Sequence, residues 1–354
     1  MKIYILTLFL FISALNLFAQ DFNPDERLTD LTGKKENIGI TAGYSIDGEI
    51  QWTSSKGLTC KENEIAFSTK TITRIASIAK NFTAVAIMQL VEKEQIELDA
   101  PIERYLKNLP EDKKQITVKQ LLAHTSGIPQ YQGEKEKENT NHYNTLQDAM
   151  SVFIERPLLF EPGTKYFYTT YGYVILGRII EEVSGKSYQE YMQKNIFDIA
   201  GMNNTGIEEI NDDYTNKSCL YHNNGRKAKE GKQNDLSNRI PGGGFYSTLE
   251  DVMKFGNALL EGKYIKQETL DKMTQTEPVE YDGNKYGLGW FLYGPPPNEN
   301  LVIGHSGGQT GCTSQLMIIP KSKTVIVVLS NTSGNYPDIA TFAVNLIAYS
   351  EKKR

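Results

Sequence analysis

The 354-residue chain holds only three cysteines (Cys60, Cys219, Cys312) and four histidines (His124, His142, His222, His305). Three cysteines are too few for a disulfide scaffold, and their spacing matches no metal site. In an oxidising compartment one disulfide could form among three pairings, and the sequence does not choose between a pair and three free thiols. There is no excess of positive charge either: 38 Lys+Arg face 43 Asp+Glu, a formal net charge of −5. That balance argues against a nucleic-acid partner, which usually requires a basic face. The chain has no HExxH-like spacing, no Gly-rich loop leading from strand to helix to cradle phosphate, and no internal repeat. No metal or cofactor is expected.

With 23% charged and 39% apolar residues, the composition is too apolar for a disordered chain and too ordinary for a collagen or coiled coil. Length allows two or three domains, or one large two-lobed enzyme. One long apolar run exists, Ile3 to Phe18, after Lys2 and before Ala19-Gln20-Asp21. A positive start, an apolar stretch and a small residue at the exit predict a secretory leader over residues 1–20, cleaved near Ala19 or Gln20. Sixteen residues fall short of the ~20 that span a bilayer as a helix. No cysteine near that site could carry a lipid. The expected location is therefore periplasmic or secreted.

Residues 38–55 alternate apolar and polar around Ile46-Asp47-Gly48, a hairpin pattern. Residues 75–93 carry apolar residues at helical spacing without Gly or Pro. Between about 99 and 240 the text is helical and loop-rich, with amphipathic runs at 116–123, 146–155, 171–184 and 188–196. A charged insert at 133–144 reads as a solvated loop. Another helix is expected over 248–262, strands at 285–293, 301–304, 313–319 and 324–330, and a terminal helix over 338–350. Strands at both ends with helices between predict an α/β (α+β) chain. Its antiparallel sheet would be built from both termini (about 21–98 and 241–354), and an inserted, mostly helical lobe would span about 99–240, all within one catalytic domain.

Three segments carry chemistry. Ser77-Ile78-Ala79-Lys80 opens the strongest helix, and i, i+3 spacing places both side chains on one face with Cβ atoms about 5–6 Å apart. A serine hydroxyl needs a base to take its proton, and a desolvated lysine can serve. The helix start also aims free N–H groups at a developing oxyanion. Tyr168-Thr169-Thr170 stands before the helix at 171; a phenol beside a serine can shuttle a proton if nearby cations lower its pKa. Gly304-His305-Ser306-Gly307-Gly308 spells G-x-S-x-G, the nucleophile elbow of α/β-hydrolases. The elbow needs a following helix and a later histidine, and no histidine follows Ser306. The segment reads instead as a sheet edge whose glycines let a substrate approach. Of the remaining residues, His124 reads as a loop brace, Cys312 as a small buried strand residue, and His142 and His222 as solvated.

Taken together, Ser-x-x-Lys, Tyr-x-x and His-Ser-Gly in that order resemble the class C β-lactamase and DD-peptidase family of penicillin-recognising serine hydrolases. Leu98-Asp99-Ala100-Pro101, Leu121 to Pro129, Glu161-Pro162-Gly163, Gly242-Gly243-Gly244, Tyr286 to Trp290 and Ser330-Asn331 extend the likeness over roughly 38–335. The resemblance implies Ser77 as acylated nucleophile, Lys80 as its proton acceptor and Tyr168 as proton shuttle. It places Thr170, His305, Ser306 and Gly307 against the substrate, and makes an oxyanion hole from the N–H groups of Ser77 and Gly308. Thr170 stands where the family usually has Asn, and His305 where it often has Lys. Thr has a shorter hydroxyl in place of an amide, and a partly cationic His is a weaker carboxylate anchor than Lys. The expected activity is hydrolysis of a peptide, amide or ester, of D-amino-acid peptidase or esterase type. A β-lactamase, or a penicillin-recognising binder with little turnover, stays open, as do a peptidoglycan-derived ligand and the oligomeric state.

Overall fold

The computed structural model describes residues 22–33, 37–210, 214, 216–225, 227–276, 285–293 and 301–354; the expected leader, 1–20, lies outside them. Strands β1 (Gly39–Ile46) and β2 (Glu49–Gly57) form the expected hairpin, with Asp47 and Gly48 at φ of 50° and 84° in the turn. Two positive-φ residues give the twist that a two-residue hairpin requires. Later come β3 (Phe291–Tyr293), β4 (Val302–Gln309), β5 (Cys312–Ile319) and β6 (Thr324–Ser330). The six lie in the order β2-β1-β6-β5-β4-β3, and each neighbouring pair is antiparallel. Ile40 pairs with Ser330 and Ile46 with Thr324, so the sheet is assembled from both ends of the chain.

The unbroken apolar run of β6 follows from burial on both faces. Val325, Val327 and Leu329 join a core with helix α4 (Leu249–Leu260) and the fully buried start of α2 (Ala79–Glu92). Ile326 and Val328 point the other way, toward α1 (Pro24–Gly33) and α5 (Tyr336–Lys353), where Leu28, Leu31, Ile339, Phe342 and Leu346 cover them. Helix α3 (Tyr171–Ser184) and the short helices Val118–Leu122, Leu146–Met150 and Tyr188–Met192 build the helical lobe. Phe82 of α2 ties it to α4 and its neighbours, with ring centroids 4.3 Å from Phe255 and about 6 Å from Phe197 and Phe245.

Two expectations are corrected. The strand expected over 301–304 runs on to Gln309 as β4, so the Gly304–Gly308 sheet edge lies inside it. The charged insert is not a free loop: Glu134–Lys137 is helical and the run is tied down along its length. Arg239 Nη2 donates to the carbonyls of Glu136 and Lys137 at 2.8 and 2.6 Å. The Glu136 carboxylate receives Arg156 and the Tyr171 hydroxyl, and Thr310 at the end of β4 donates to Glu138. These partners come from distant segments, so the run's own charge pattern does not reveal them.

Cys60 and Cys219 form a disulfide (Cα–Cα 5.1 Å) across 159 residues of sequence, and Cys312 is free and buried. Closing so long a loop limits the unfolded chain by about 5 kcal/mol in the entropic picture, with about 2–5 kcal/mol typical of natural bridges. Replacing both cysteines by alanine should lower unfolding stability by that amount in a urea titration, with active-site labelling per folded molecule retained. An unchanged midpoint would mean that the bridge does not constrain the unfolded chain.

Candidate active site

Ser77 sits in a single 3-10 turn, Ala76–Ile78, that runs straight into α2. Ala76 adopts φ +47°, a left-handed conformation that costs a non-glycine residue about 1–2 kcal/mol. Its surroundings hold it there. The Cys312 thiol donates to the Arg74 carbonyl (2.9 Å) and Ser314 Oγ to the Ile75 carbonyl (2.8 Å), while Ile75 N–H reaches Phe245 O at 3.1 Å. Arg74 is itself locked by a buried two-point ion pair to Glu208, by Asn234 and by the Thr310 carbonyl. Burial pushes the Cys312 thiol up to about 12, so it acts as a neutral donor.

Strand β4 lies against this turn because residue 307 is glycine: a Cβ there would stand 2.6 Å from Ile75 O and 3.0 Å from Ala76 Cβ. Strand β3 pairs with β4 only over Val302–Gly304. From Ser306 to Gln309 that edge has no strand partner among the described residues, and Gly308 is exposed. The backbone N–H groups at Ser77 and Gly308 thus belong to two segments held side by side.

Lys80 is wholly buried. Its Nζ lies 2.6 Å from Gly242 O, 3.2 Å from Ser77 Oγ and 3.3 Å from Thr170 Oγ1. Residue 242 must be glycine, since a Cβ would stand 2.5 Å from Thr170 Cγ2. Desolvation, and secondly the charge of Arg239, hold the Lys80 amine well below its usual pKa. A neutral amine has two hydrogens and one lone pair. The Gly242 carbonyl and Thr170 Oγ1 can take the hydrogens, leaving the lone pair for the Ser77 hydroxyl.

The Ser77 hydroxyl acts on the Tyr168 phenol in the direction that lowers its pKa, yet burial raises that phenol well above the usual value. Lys80 Nζ lies 4.9 Å from its ring centroid. The sequence expectation required cations to lower this pKa; desolvation dominates instead, so the resting group is a neutral phenol that can donate. Thr170, also buried, is clamped by Gln130: Gln130 Nε2 donates to Thr170 Oγ1 (3.1 Å) and Gln130 Oε1 accepts Thr170 N–H (3.1 Å). A carboxamide therefore stands beside Thr170 after all, brought from another element.

His305 differs from the expectation of a partly cationic anchor. It is 1% exposed; its Nδ1 donates to the Ser306 carbonyl (2.6 Å) and its Nε2 faces the Tyr286 hydroxyl (3.0 Å). Desolvation first, and then the Lys80 charge, push its pKa down to about 3. It is neutral across the ordinary pH range, with both ring nitrogens engaged. The Tyr286 hydroxyl donates to Nε2, and the neighbouring Tyr173 hydroxyl donates to Leu122 O at 3.0 Å. Ser306 is half-buried on the same strand. Gln130, Tyr286, Tyr173 and Gly242 were not singled out from sequence as site residues, although Gly242 and Tyr286 lie in segments that carried the resemblance.

A serine at a helix start beside a depressed lysine and a neutral phenol, along an open strand edge, defines a serine hydrolase site of the Ser-x-x-Lys type. The Beta-lactamase family model matches residues 25–348, and the chain belongs to that family. It is similar to the human mitochondrial serine beta-lactamase-like protein LACTB (28% identical, covering 80% of this chain and 69% of that protein). It is also similar to penicillin-binding protein 4* of Bacillus subtilis strain 168 (27%, covering 86% and 71%). Among solved structures, the octameric penicillin-binding protein homologue from Pyrococcus abyssi superposes with a TM-score of 0.78 at 28% identity, covering 96% of this chain and 77% of that one. The D-amino acid amidase from Ochrobactrum anthropi SV3 with L-phenylalanine reaches 0.80 at 23% identity, covering 93% and 98%, and shares the fold.

Because the Lys80 pKa is lowered from 10.5, its proton-accepting form gains population at lower pH than in a free lysine. The rate of neutral-ester hydrolysis should rise with pH through the Lys80 pKa and level off well below pH 10.5. Lys80→Arg, which stays protonated, should lose about 10²–10⁴-fold in rate. A rising limb centred near 10.5 would show that the amine is not desolvated as described.

Proposed function

We propose that this protein hydrolyses uncharged esters and amides, including those of D-amino-acid type, through an acyl-enzyme on Ser77. The observation that carries this reading is the Ser77 hydroxyl at 3.2 Å from a buried lysine amine of lowered pKa. Lys80 takes the Ser77 proton as Oγ attacks the carbonyl carbon. The N–H groups of Ser77 and Gly308 receive the oxyanion, a contribution of several kcal/mol when two such donors are preorganised. Tyr168 protonates the leaving oxygen or nitrogen and regains a proton from the Lys80 ammonium. A water then attacks the acyl carbon, its proton passing by way of Tyr168 to Lys80; as the tetrahedral intermediate collapses, Lys80 returns that proton to Ser77 Oγ and the acid product leaves.

The preference for an uncharged substrate rests on His305. A neutral imidazole with both nitrogens engaged gives no positive charge to a substrate carboxylate. Arg239, the cation whose charge bears on Lys80, spends Nε on Asn238 and Nη2 on two backbone carbonyls. Export of the chain completes the proposal: a leader-like segment at 1–20 and a Cys60–Cys219 bridge both fit an oxidising compartment.

Ser77→Ala should abolish p-nitrophenyl ester hydrolysis and the fluorophosphonate adduct seen by intact mass, with the fold retained; a label that persists on Ser306 would sink the assignment. The pH profile of kcat/KM gives a second test. With His305 at about 3, its protonated form is lost once pH rises above that value. A carboxylate-bearing substrate and its neutral amide should then give profiles of the same shape from pH 5 to 8. A falling limb near pH 6.5 for the carboxylate alone would restore a cationic His305.

A further inference from the structure

His124 braces a loop of the helical lobe, as expected, and the loop it braces is the one that carries Tyr168. It follows the short helix Val118–Leu122 and adopts φ +59°, a left-handed turn that redirects both its carbonyl and its side chain. The carbonyl accepts Phe167 N–H at 2.9 Å, and Nδ1 accepts Thr169 N–H at 3.3 Å. These two bonds grip the backbone immediately before and after Tyr168. Between them the imidazole packs on the Tyr168 ring, centroid to centroid 4.3 Å at 46°. Tyr286 and Tyr173 close in behind at 4.6 and 5.3 Å.

The chemistry of the ring is fixed by that grip. An Nδ1 that accepts a backbone N–H carries no proton, so the neutral tautomer places its hydrogen on Nε2. That nitrogen is fully buried and has no hydrogen-bond partner among the described residues. A loop brace alone would gain nothing from a buried polar atom left unpaired, which is costly, and an apolar ring would fill the space without that cost. What only an imidazole supplies here is a flat ring against the phenol together with an acceptor for Thr169 N–H.

We propose that His124 is the positioning residue for Tyr168, setting the phenol's reach to Ser77 by clasping residues 167 and 169 and packing on the ring between them. The inference rests on the proposed role of Tyr168 in proton transfer and adds the group that aims it. A misplacement of about 1 Å in such a donor can cost roughly 100-fold in rate, with little effect on substrate binding.

The test is a double-mutant cycle on p-nitrophenyl ester hydrolysis with His124→Phe, His124→Asn and Tyr168→Phe. His124→Phe keeps a ring but removes the acceptor; His124→Asn tolerates the left-handed backbone and keeps a short acceptor but removes the ring. Folding is checked by circular dichroism, and Asn serves if the Phe variant does not fold. Each His124 variant should lower kcat by about 10-fold or more with KM within roughly twofold. The same substitutions should cost nothing further in the Tyr168→Phe background, where there is no hydroxyl to aim. Equal losses in both backgrounds, or an unchanged kcat, would overturn the proposal while leaving the role of Tyr168 intact. If Tyr168→Phe alone retained full rate, the mechanism itself would fall and this inference with it.

Discussion

The burial of one amine is the constraint on which the site depends. Lys80 is out of contact with water, and among the described residues no carboxylate pairs with it. A charged ammonium in that position would carry a large desolvation penalty, so the neutral form is favoured. The amine remains satisfied because three segments bring it partners: Ser77 from its own helix, Thr170 at the start of α3 and the Gly242 carbonyl from the short helix Ile240–Gly243. Gly242 allows that close meeting of carbonyl, threonine and amine. The same packing that desolvates the lysine, and so lowers its basicity, therefore joins the two lobes.

Around this amine the site is built from neutral polar groups in place of ion pairs. Tyr286 donates to the His305 imidazole and Tyr173 to the Leu122 carbonyl, and His124 and Tyr168 pack ring against ring beside them. Desolvation acts on each in the direction that removes charge: histidines downward, tyrosines upward. The permanent ion pair near Ser77, Arg74–Glu208, lies behind the turn and fixes the backbone. Charge thus lies at the back of the site, and neutral polar groups at its front.

Rigidity is concentrated where Ala76 is strained. A left-handed alanine persists only when its neighbours over-determine it. Here Cys312 and Ser314 of β5 hold the two preceding carbonyls, and Gly307 lets β4 press against the turn. The central sheet is therefore a jig for the serine: β5 holds the turn, and β4 supplies the open edge beside it.

The periodicities of the chain were enough to predict the hairpin at 39–57, the helices at 79–92, 171–184, 249–260 and 336–353, and the last two strands, because apolar spacing is a local property read within one element. The order of motifs was enough to bring Ser77, Lys80, Tyr168 and His305 together as a site, since side-chain chemistry and chain order survive in text. The identity of the disulfide pair, the ties along the charged insert, the clamp of Gln130 on Thr170 and the grip of His124 on Tyr168 were decided only in three dimensions. Each is a contact between residues 20 or more positions apart, and no local pattern records it. Protonation states belong to the same class. His305 reads as a partial cation in sequence and becomes a neutral ring in the fold, because a pKa is set by desolvation and by neighbours that only tertiary packing supplies.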